Sequence, residues 1–156
     1  MSVERVKQSL QPFGLEERVL TFSASSATVE EAALAVGCQP QRIAKTLSFL
    51  VEGAPLLIVM AGDGKIDNAK FKARFHQKAA MIPPDQVQAL VGYAVGGVCP
   101  FAVAPGVAVY LDESLRRFET VYPAAGDARS AVKLSPEELE KASQAAGWVD
   151  VGKGWQ

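Results

Sequence analysis

The strongest constraint on the fold is a continuous apolar segment at residues 55–61, Pro-Leu-Leu-Ile-Val-Met-Ala. A run of this length and composition is typical of a strand buried on both faces, and it is far too short to span a bilayer. Residues 43–51 precede it and alternate, so that Lys45, Leu47 and Phe49 share one face. Residues 52–54, Glu-Gly-Ala, predict a hairpin turn between the two strands. The chain is therefore expected to fold around a central hairpin.

Capping residues mark several helices along the chain. Thr28 with Glu31, and Ser135 with Glu138, have the spacing of a capping box, and Asp67 can cap a further helix. Glycines are expected to end four of the helices: Gly14 after residues 3–13, Gly37 after residue 36, Gly92 after the helix that starts at residues 83–85, and Gly147 after the last helix. Further strands are predicted at residues 18–22, 93–95, 107–111, 120–122 and 131–134.

These elements are interspersed without a regular βαβ period, and neighbouring strands resemble hairpin partners. The pattern predicts an α+β fold with a mixed, mostly antiparallel central sheet flanked by helices. The chain has 156 residues, of which 49% are hydrophobic and 21% charged. This balance is typical of one domain with one core, and we expect residues 1–156 to form it.

Composition also excludes several classes of function. Two cysteines and a single histidine provide neither a disulfide framework nor a zinc cluster, so no metal or cofactor is expected. The N-terminus lacks the apolar segment of a signal peptide, so we expect a cytoplasmic protein that does not associate with membranes. A net charge of −1 predicts that any contact with nucleic acid is small. The oligomeric state is left open.

Lys45 is the first candidate for chemistry, because the other residues on its strand face belong in a core. One explanation is that Lys45 lies at the sheet edge and extends its ammonium to water. The other is that it lies at the mouth of a cleft and binds a phosphate or carboxylate. The strand pattern alone does not choose between them.

Two loops are also candidates. Residues 96–100, Gly-Gly-Val-Cys-Pro, could direct backbone N–H groups toward one point, or could simply form a tight turn. Residues 124–127, Ala-Ala-Gly-Asp, have the same ambiguity, with Asp127 either a turn former or a polar contact. Cys99 and His76 suggest a thiol hydrolase, but His76 lies among charged residues and no nucleophile motif surrounds Cys99.

The order of these segments resembles the YbaK/ProX family of aminoacyl-tRNA deacylases, which are similar to the editing domain of bacterial prolyl-tRNA synthetase. The resemblance extends from about residue 20 to residue 140 and is carried by residues 28–33, 43–47, 92–101, 110–115, 125–126 and 134–139. It implies that Lys45 is the functional lysine and that residues 96–100 are the family's G-x-x-x-P loop. Gly126 would belong to the loop that faces them.

The resemblance implies hydrolysis of the ester of a mischarged tRNA, with the tRNA acceptor end as partner and an aminoacyl-tRNA synthetase as a further candidate. Our hypothesis assigns the oxyanion contact to the N–H groups of Gly97 and its neighbours. Lys45 anchors the terminal adenosine. The expected substrate-binding residues are Ser25, Thr46, Gly96, Val98, Cys99, Pro100, Gly126 and Asp127.

The amino acid removed is expected to be alanine, serine, threonine or cysteine, because the candidate pocket side chains are short. Cys99 departs from the family pattern, where serine or another small residue is common. Thr46 and Asp127 lie at positions that vary with substrate preference. Two alternatives stay open: a non-catalytic module that binds the acceptor end or a synthetase, and a hydrolase that uses the Cys99 thiol.

Overall fold

The computed structural model describes residues 2–155 and builds them around the predicted hairpin. Within that range the α-helices are α1 (Ser2–Leu10), α2 (Val29–Val36), α3 (Asn68–Phe75), α4 (Pro84–Val91) and α5 (Pro136–Ser143). The strands are β1 (Val19–Thr21), β2 (Ile43–Val51), β3 (Ala54–Ala61), β4 (Lys65–Ile66), β5 (Ala108–Asp112), β6 (Tyr122–Pro123), β7 (Ser130–Val132), β8 (Gly147–Val149) and β9 (Gly152–Lys153). None of the helices in residues 2–155 has the length and apolar character needed to cross a membrane.

The helices begin where the sequence places their caps. The Glu31 N–H donates to Thr28 Oγ1 at 3.1 Å at the start of α2, and Asp67 caps α3 in the same way. At α5 the full capping box forms between Ser135 and Glu138. At α2 the box is incomplete, because the Glu31 carboxylate accepts a hydrogen bond from the Thr28 hydroxyl instead of the Thr28 N–H.

A five-stranded sheet in the order β6-β2-β3-β5-β8 forms the centre of the fold. β2 and β3 form the predicted antiparallel hairpin, but the β2–β6, β3–β5 and β5–β8 pairs are parallel. The α+β class and the mixed sheet are confirmed, whereas the prediction of a mostly antiparallel sheet is wrong. Parallel neighbours need a crossover connection, which is usually helical. Here α3 and α4 lie between β3 and β5 in the chain, and α5 lies between β5 and β8.

The two faces of β2 contact different parts of the core, as the alternation predicts. Leu47 and Phe49 pack on the side of α3, where the ring centroids of Phe49 and Phe71 are 5.0 Å apart. Ala44, on the other face, joins the larger cluster that includes side chains of α1, α4 and α5. Lys45 shares the α3-side face and lies near its end, where β2 begins.

Two predicted helix features are wrong. α5 ends at Ser143 because Gln144 adopts a left-handed conformation with φ 54°, and Gly147 begins β8 instead of closing the helix. At the N-terminus, α1 ends at Leu10 and continues as a short 3₁₀ turn to the predicted Gly14 cap, which leaves Phe13 39% exposed. At both ends the apolar pattern of the sequence continues past the last residue of the α-helix, so the predicted helices were too long.

Candidate functional site

A cavity of about 320 Å³ lies along the edge of β2. Its volume falls within the ~300–1,000 Å³ range of small-molecule sites. Residues 43–48 of β2 form one wall, and the others come from the starts of α2 and α4, from Val95, Gly96 and Val98, and from β6 and β7. Most lining side chains are short or aliphatic. Among the lining residues in the described part of the chain, Lys45 alone carries a charge.

Lys45 reaches the cavity with a half-buried side chain. Its Nζ donates to the carbonyl oxygens of Gly62, at 3.4 Å, and of Gly64, in the turn after β3. Burial lowers the pKa of Lys45, and the Asp63 carboxylate opposes that shift. Asp63 is itself paired through both oxygens with Arg117, at 2.6 and 3.0 Å. Because neutral carbonyls hold the Lys45 ammonium, an anionic ligand can bind it without displacing a carboxylate.

The loop after α4 reaches the cavity through a tight turn. The Gly97 N–H donates to the Ala94 carbonyl at 3.0 Å, and Gly96 adopts a φ of 94° at the corner. The strand predicted at residues 93–95 is therefore wrong, because these residues lead into this turn. Gly96 and Val98 line the cavity, whereas Gly97 is buried. Within residues 2–155 the N–H groups of the lining residues Val95, Gly96 and Val98 make no hydrogen bond, and those of Gly96 and Val98 flank the buried Gly97.

Gly97 brings the loop at residues 124–127 against the cavity loop. A Cβ atom at Gly97 would lie 2.6 Å from the Asp127 Cα and 2.7 Å from the Gly126 carbonyl oxygen. Gly126 has a left-handed φ of 104°, which favours glycine there as well. The two glycine-containing loops thus touch through their backbones, and Gly97 is required by that close approach.

Thr46 lines the cavity, and its hydroxyl is buried without a hydrogen-bond partner in the described structure. A buried hydroxyl left unpaired costs about 1–3 kcal/mol, which a ligand that pairs with it would recover. The hydroxyls of Ser26 and Ser130 also line the cavity but are occupied. The Ser130 N–H donates to Ser26 Oγ at 3.0 Å, and Ser130 Oγ accepts from the Ala125 N–H. Of the hydroxyls of Thr46, Ser26 and Ser130, that of Thr46 is therefore the one that is buried and unpaired.

The structure separates the predicted site residues into two groups. Those that line the cavity are Lys45, Thr46, Gly96 and Val98. Those outside the lining are Ser25, Gly97, Cys99, Pro100, Gly126 and Asp127. Ser25 instead donates to the Glu31 carboxylate at 3.3 Å, and the exposed Asp127 carboxylate accepts from the Arg129 N–H at 2.9 Å as a turn former. Cys99 and Pro100 are buried behind the loop.

Sequence reasoning missed several residues of this site. Ser26 lines the cavity where Ser25 was expected, and the only available signal was the small polar run at residues 23–27. Met81 and Val95 lie at the cavity with 60% and 65% of their surface exposed, although neither belongs to an apolar pattern that predicts a site. The Asp63 carboxylate raises the pKa of Lys45 against the effect of burial, and no spacing in the sequence indicates that the two residues interact.

The environment of Cys99 contradicts the thiol-hydrolase alternative. Its side chain is fully buried, and burial raises the pKa of the thiol to about 12. His76 is exposed at the end of α3, on the opposite face of the sheet from Cys99. A Cys99 thiolate paired with an imidazolium is therefore excluded.

We expect iodoacetamide at pH 8 to modify Cys38 and to leave Cys99 intact, with enzymatic activity unchanged within about twofold, since alkylation requires an accessible thiolate. Cys38 is partly exposed, and it provides an internal comparison within the same chain. Peptide mass spectrometry measures both modifications, and the urea-unfolded protein, in which both cysteines should react, is the control. Loss of activity in step with Cys99 modification would contradict this assignment.

The fold and the comparisons with known proteins identify a hydrolase of the aminoacyl-tRNA editing class. The model of the aminoacyl-tRNA editing domain family matches residues 23–142, and the chain belongs to that family. This confirms the resemblance to the YbaK/ProX deacylases and the activity, hydrolysis of mischarged aminoacyl-tRNA.

Relatives extend over almost the whole chain. The uncharacterized protein YwhH of Bacillus subtilis is 47% identical over 157 residues, covering 100% of both chains. EbsC of Enterococcus faecalis, named as a proposed Cys-tRNA(Pro)/Cys-tRNA(Cys) deacylase, is 26% identical over 88% of this chain and 84% of its own. The crystal structure of a proposed trans-editing enzyme for prolyl-tRNA synthetase superposes with a TM-score of 0.87 at 31% identity, covering 98% of each chain.

Proposed function

We propose that this protein is a trans-acting deacylase that hydrolyses the ester of a tRNA mischarged with alanine, serine, threonine or cysteine. The observation that carries the proposal is that Lys45 and the free N–H groups of Gly96 and Val98 share one cavity. The substrate ester has a phosphodiester chain on one side and develops an oxyanion on the other. One cation and two backbone donors match those two requirements.

The oxyanion contact is assigned to Gly96 and Val98. Our hypothesis from the sequence gave this role to Gly97 and its neighbours, but the Gly97 N–H already donates to the Ala94 carbonyl. Gly97 then acts by allowing the two loops to meet, and its neighbours supply the donors. Losing one oxyanion donor typically costs about 10²–10³ in rate, so these two N–H groups carry a large part of the catalysis.

Lys45 binds the phosphate or ribose of the terminal adenosine in this scheme. Its Nζ makes hydrogen bonds only to the Gly62 and Gly64 carbonyls within the described structure, so a phosphate gains a charge-assisted contact there. With a net charge of −1 the protein lacks a large basic surface, which favours contact with the acceptor end alone. A synthetase partner is a candidate source of tRNA specificity.

Water is the nucleophile, because an aminoacyl ester is already activated and needs chiefly positioning and oxyanion stabilisation. Neither a carboxylate nor an imidazole is among the cavity-lining side chains in residues 2–155. The neighbouring ribose hydroxyl of the substrate therefore accepts the proton of the attacking water while passing its own proton to the departing ribose oxygen, so that free amino acid and an intact ribose diol are formed. The protein contributes geometry and charge, and the substrate contributes the base.

The short lining side chains favour a small amino acid. Ala27, Ala32, Ala44 and Ala124 all contribute to the cavity wall. One methylene changes binding in an apolar pocket by only about 1–3 kcal/mol, which is too little for a synthetase to reject small amino acids by binding alone. A second, smaller sieve removes them after charging, and the buried, unpaired hydroxyl of Thr46 is one polar contact that this sieve offers.

We expect Thr46→Val to lower kcat/KM by about 5- to 10-fold, the effect of losing one neutral hydrogen bond to the substrate. The melting temperature should stay the same or rise, because the hydroxyl is unpaired in the free protein. Thr21→Val, on exposed β1, is the matched control. Wild-type turnover by Thr46→Val on every substrate would show that the Thr46 hydroxyl does not contact the substrate.

The function itself is tested by incubating catalytic amounts of the protein with tRNAs charged with alanine, serine, threonine, cysteine, leucine or phenylalanine. We expect multiple turnovers with one or more of the four small amino acids and little release of the two large ones. Binding without release of amino acid would instead establish a non-catalytic acceptor-end module. Equal release of small and large amino acids would contradict the size sieve.

A further inference from the structure

The edge of β2 that faces the cavity is paired at both ends and open in the middle. At its start, residues 43–44 pair with β6. Further along, residues 80–82 run antiparallel to it, and the Ile82 N–H donates to the Ser48 carbonyl at 3.1 Å. Between these two segments, no described residue pairs with residues 45–47 on this side. The open stretch coincides with the cavity wall.

Alternation along the strand decides which backbone groups reach this opening. The Ser48 carbonyl and the Leu50 N–H both point toward residues 80–82, so the even-numbered residues of β2 direct their backbone groups outward. Lys45 and Leu47 direct theirs toward β3. Thr46 therefore presents both its N–H and its carbonyl oxygen to the cavity, unpaired by any strand.

The length of the opening limits what can occupy it. Residues 45–47 span about 7 Å, because a strand rises about 3.3 Å per residue. A peptide strand needs several consecutive pairs, and the flanking segments at residues 43–44 and 80–82 block its extension in both directions. A single amino acid fits, because it pairs with only one residue of the edge.

We propose that the Thr46 carbonyl oxygen accepts a hydrogen bond from the α-amino group of the substrate's amino acid, so that the enzyme requires this group to be free. The inference rests on the proposed function, because the occupant is the aminoacyl ester whose carbonyl carbon lies beside Gly96 and Val98. The α-amino group is one carbon away from that ester carbonyl. Thr46, Gly96 and Val98 line the same cavity, so the proposal places the amino group against β2 and the oxyanion against the loop.

The surrounding charges are consistent with this assignment. Within residues 2–155 the cavity lining offers no carboxylate to bind an ammonium, so backbone and hydroxyl oxygens are the available acceptors. Lys45, which could otherwise compete with the substrate ammonium for these oxygens, directs its Nζ to the Gly62 and Gly64 carbonyls. Recognition through a backbone carbonyl is independent of the amino-acid side chain. The side chain of the amino acid is then selected separately, by the size of the cavity around Thr46.

The test compares three esters of one tRNA: the mischarged form that the protein hydrolyses fastest, its N-acetyl derivative, and the corresponding α-hydroxy acid ester. Each kcat/KM is divided by the rate of uncatalysed hydrolysis of the same ester, since the amino group also activates the ester chemically. We expect the normalised value to fall about 100-fold for the N-acetyl form and about 10-fold for the hydroxy form, whose O–H still donates but carries no charge.

Thr46→Val distinguishes the carbonyl from the hydroxyl of the same residue, because the variant keeps the backbone acceptor. The ratio of its normalised kcat/KM for the free substrate to that for the N-acetylated substrate should equal the wild-type ratio, even though both values fall. Equal normalised kcat/KM values for all three esters would overturn the inference. So would a Thr46→Val variant that hydrolyses the free and the N-acetylated substrate equally well. Failure of the wild type to release any amino acid would instead refute the proposed function.

Discussion

Lys45→Ala is expected to lower kcat/KM for mischarged tRNA by about 100-fold or more, the cost typical of losing a group that positions the reacting ester. Lys45 carries the only charged side chain of the cavity lining within the described residues. Its hydrogen bonds to the Gly62 and Gly64 carbonyls leave the charge available to the tRNA end. Because the side chain is half-buried and not paired with a carboxylate, the fold should survive its removal.

The measurement is release of free amino acid under single-turnover conditions, together with circular dichroism and thermal unfolding of the variant. Lys65→Ala is the matched control, because Lys65 is exposed nearby and contributes to the electrostatics around Lys45 without lining the cavity. We expect this control to retain most of the wild-type rate. Wild-type turnover by Lys45→Ala on every substrate would show that Lys45 has no functional role.

Gly97→Ala is expected to lower kcat/KM by about 100-fold and to lower the free energy of unfolding by about 1–3 kcal/mol, because an overpacked contact displaces the surrounding backbone. The new Cβ would lie 2.6 Å from the Asp127 Cα and 2.7 Å from the Gly126 carbonyl oxygen. Backbone atoms cannot rotate out of the way as a flexible side chain can. The loops must separate, which moves the N–H groups of Gly96 and Val98.

This substitution separates two roles of Gly97, because alanine keeps the backbone N–H. A role limited to donating that N–H predicts little change in rate, whereas loop packing predicts a large loss in both activity and stability. Gly147→Ala is the control, since a Cβ there has no neighbour within 4 Å. Unaltered kinetics and unfolding of Gly97→Ala would contradict the packing role.

Much of the local structure could be predicted because it depends on residues that are close in the chain. Thr28, Asp67 and Ser135 each cap a helix through an N–H three residues away, so their spacing alone is sufficient. The alternation in β2 assigned Leu47 and Phe49 to one face of the sheet for the same reason. Side chains two residues apart in a strand share a face regardless of what packs on it.

Other predictions failed where the answer depended on distant partners. The sheet is largely parallel because helices, which the sequence also predicts, return the chain to the same end of the sheet before β5 and β8. Cys99 was expected in the pocket, but the turn at Gly96 places its side chain in the core. Ser25 and Ser26 are adjacent in sequence, and only their neighbours in space decide which one faces the cavity.

The sequence by itself determined the family resemblance, the central hairpin and the helix starts, and it selected Lys45 and residues 96–100 as candidates. Only the tertiary structure decided that Gly97 is a packing residue, that the N–H groups of Gly96 and Val98 stay unpaired within residues 2–155, and that Thr46 lies at an open strand edge. The physical reason is that capping and alternation are short-range properties. A cavity, by contrast, forms where segments far apart in the chain approach, and their contacts decide which polar groups remain unpaired.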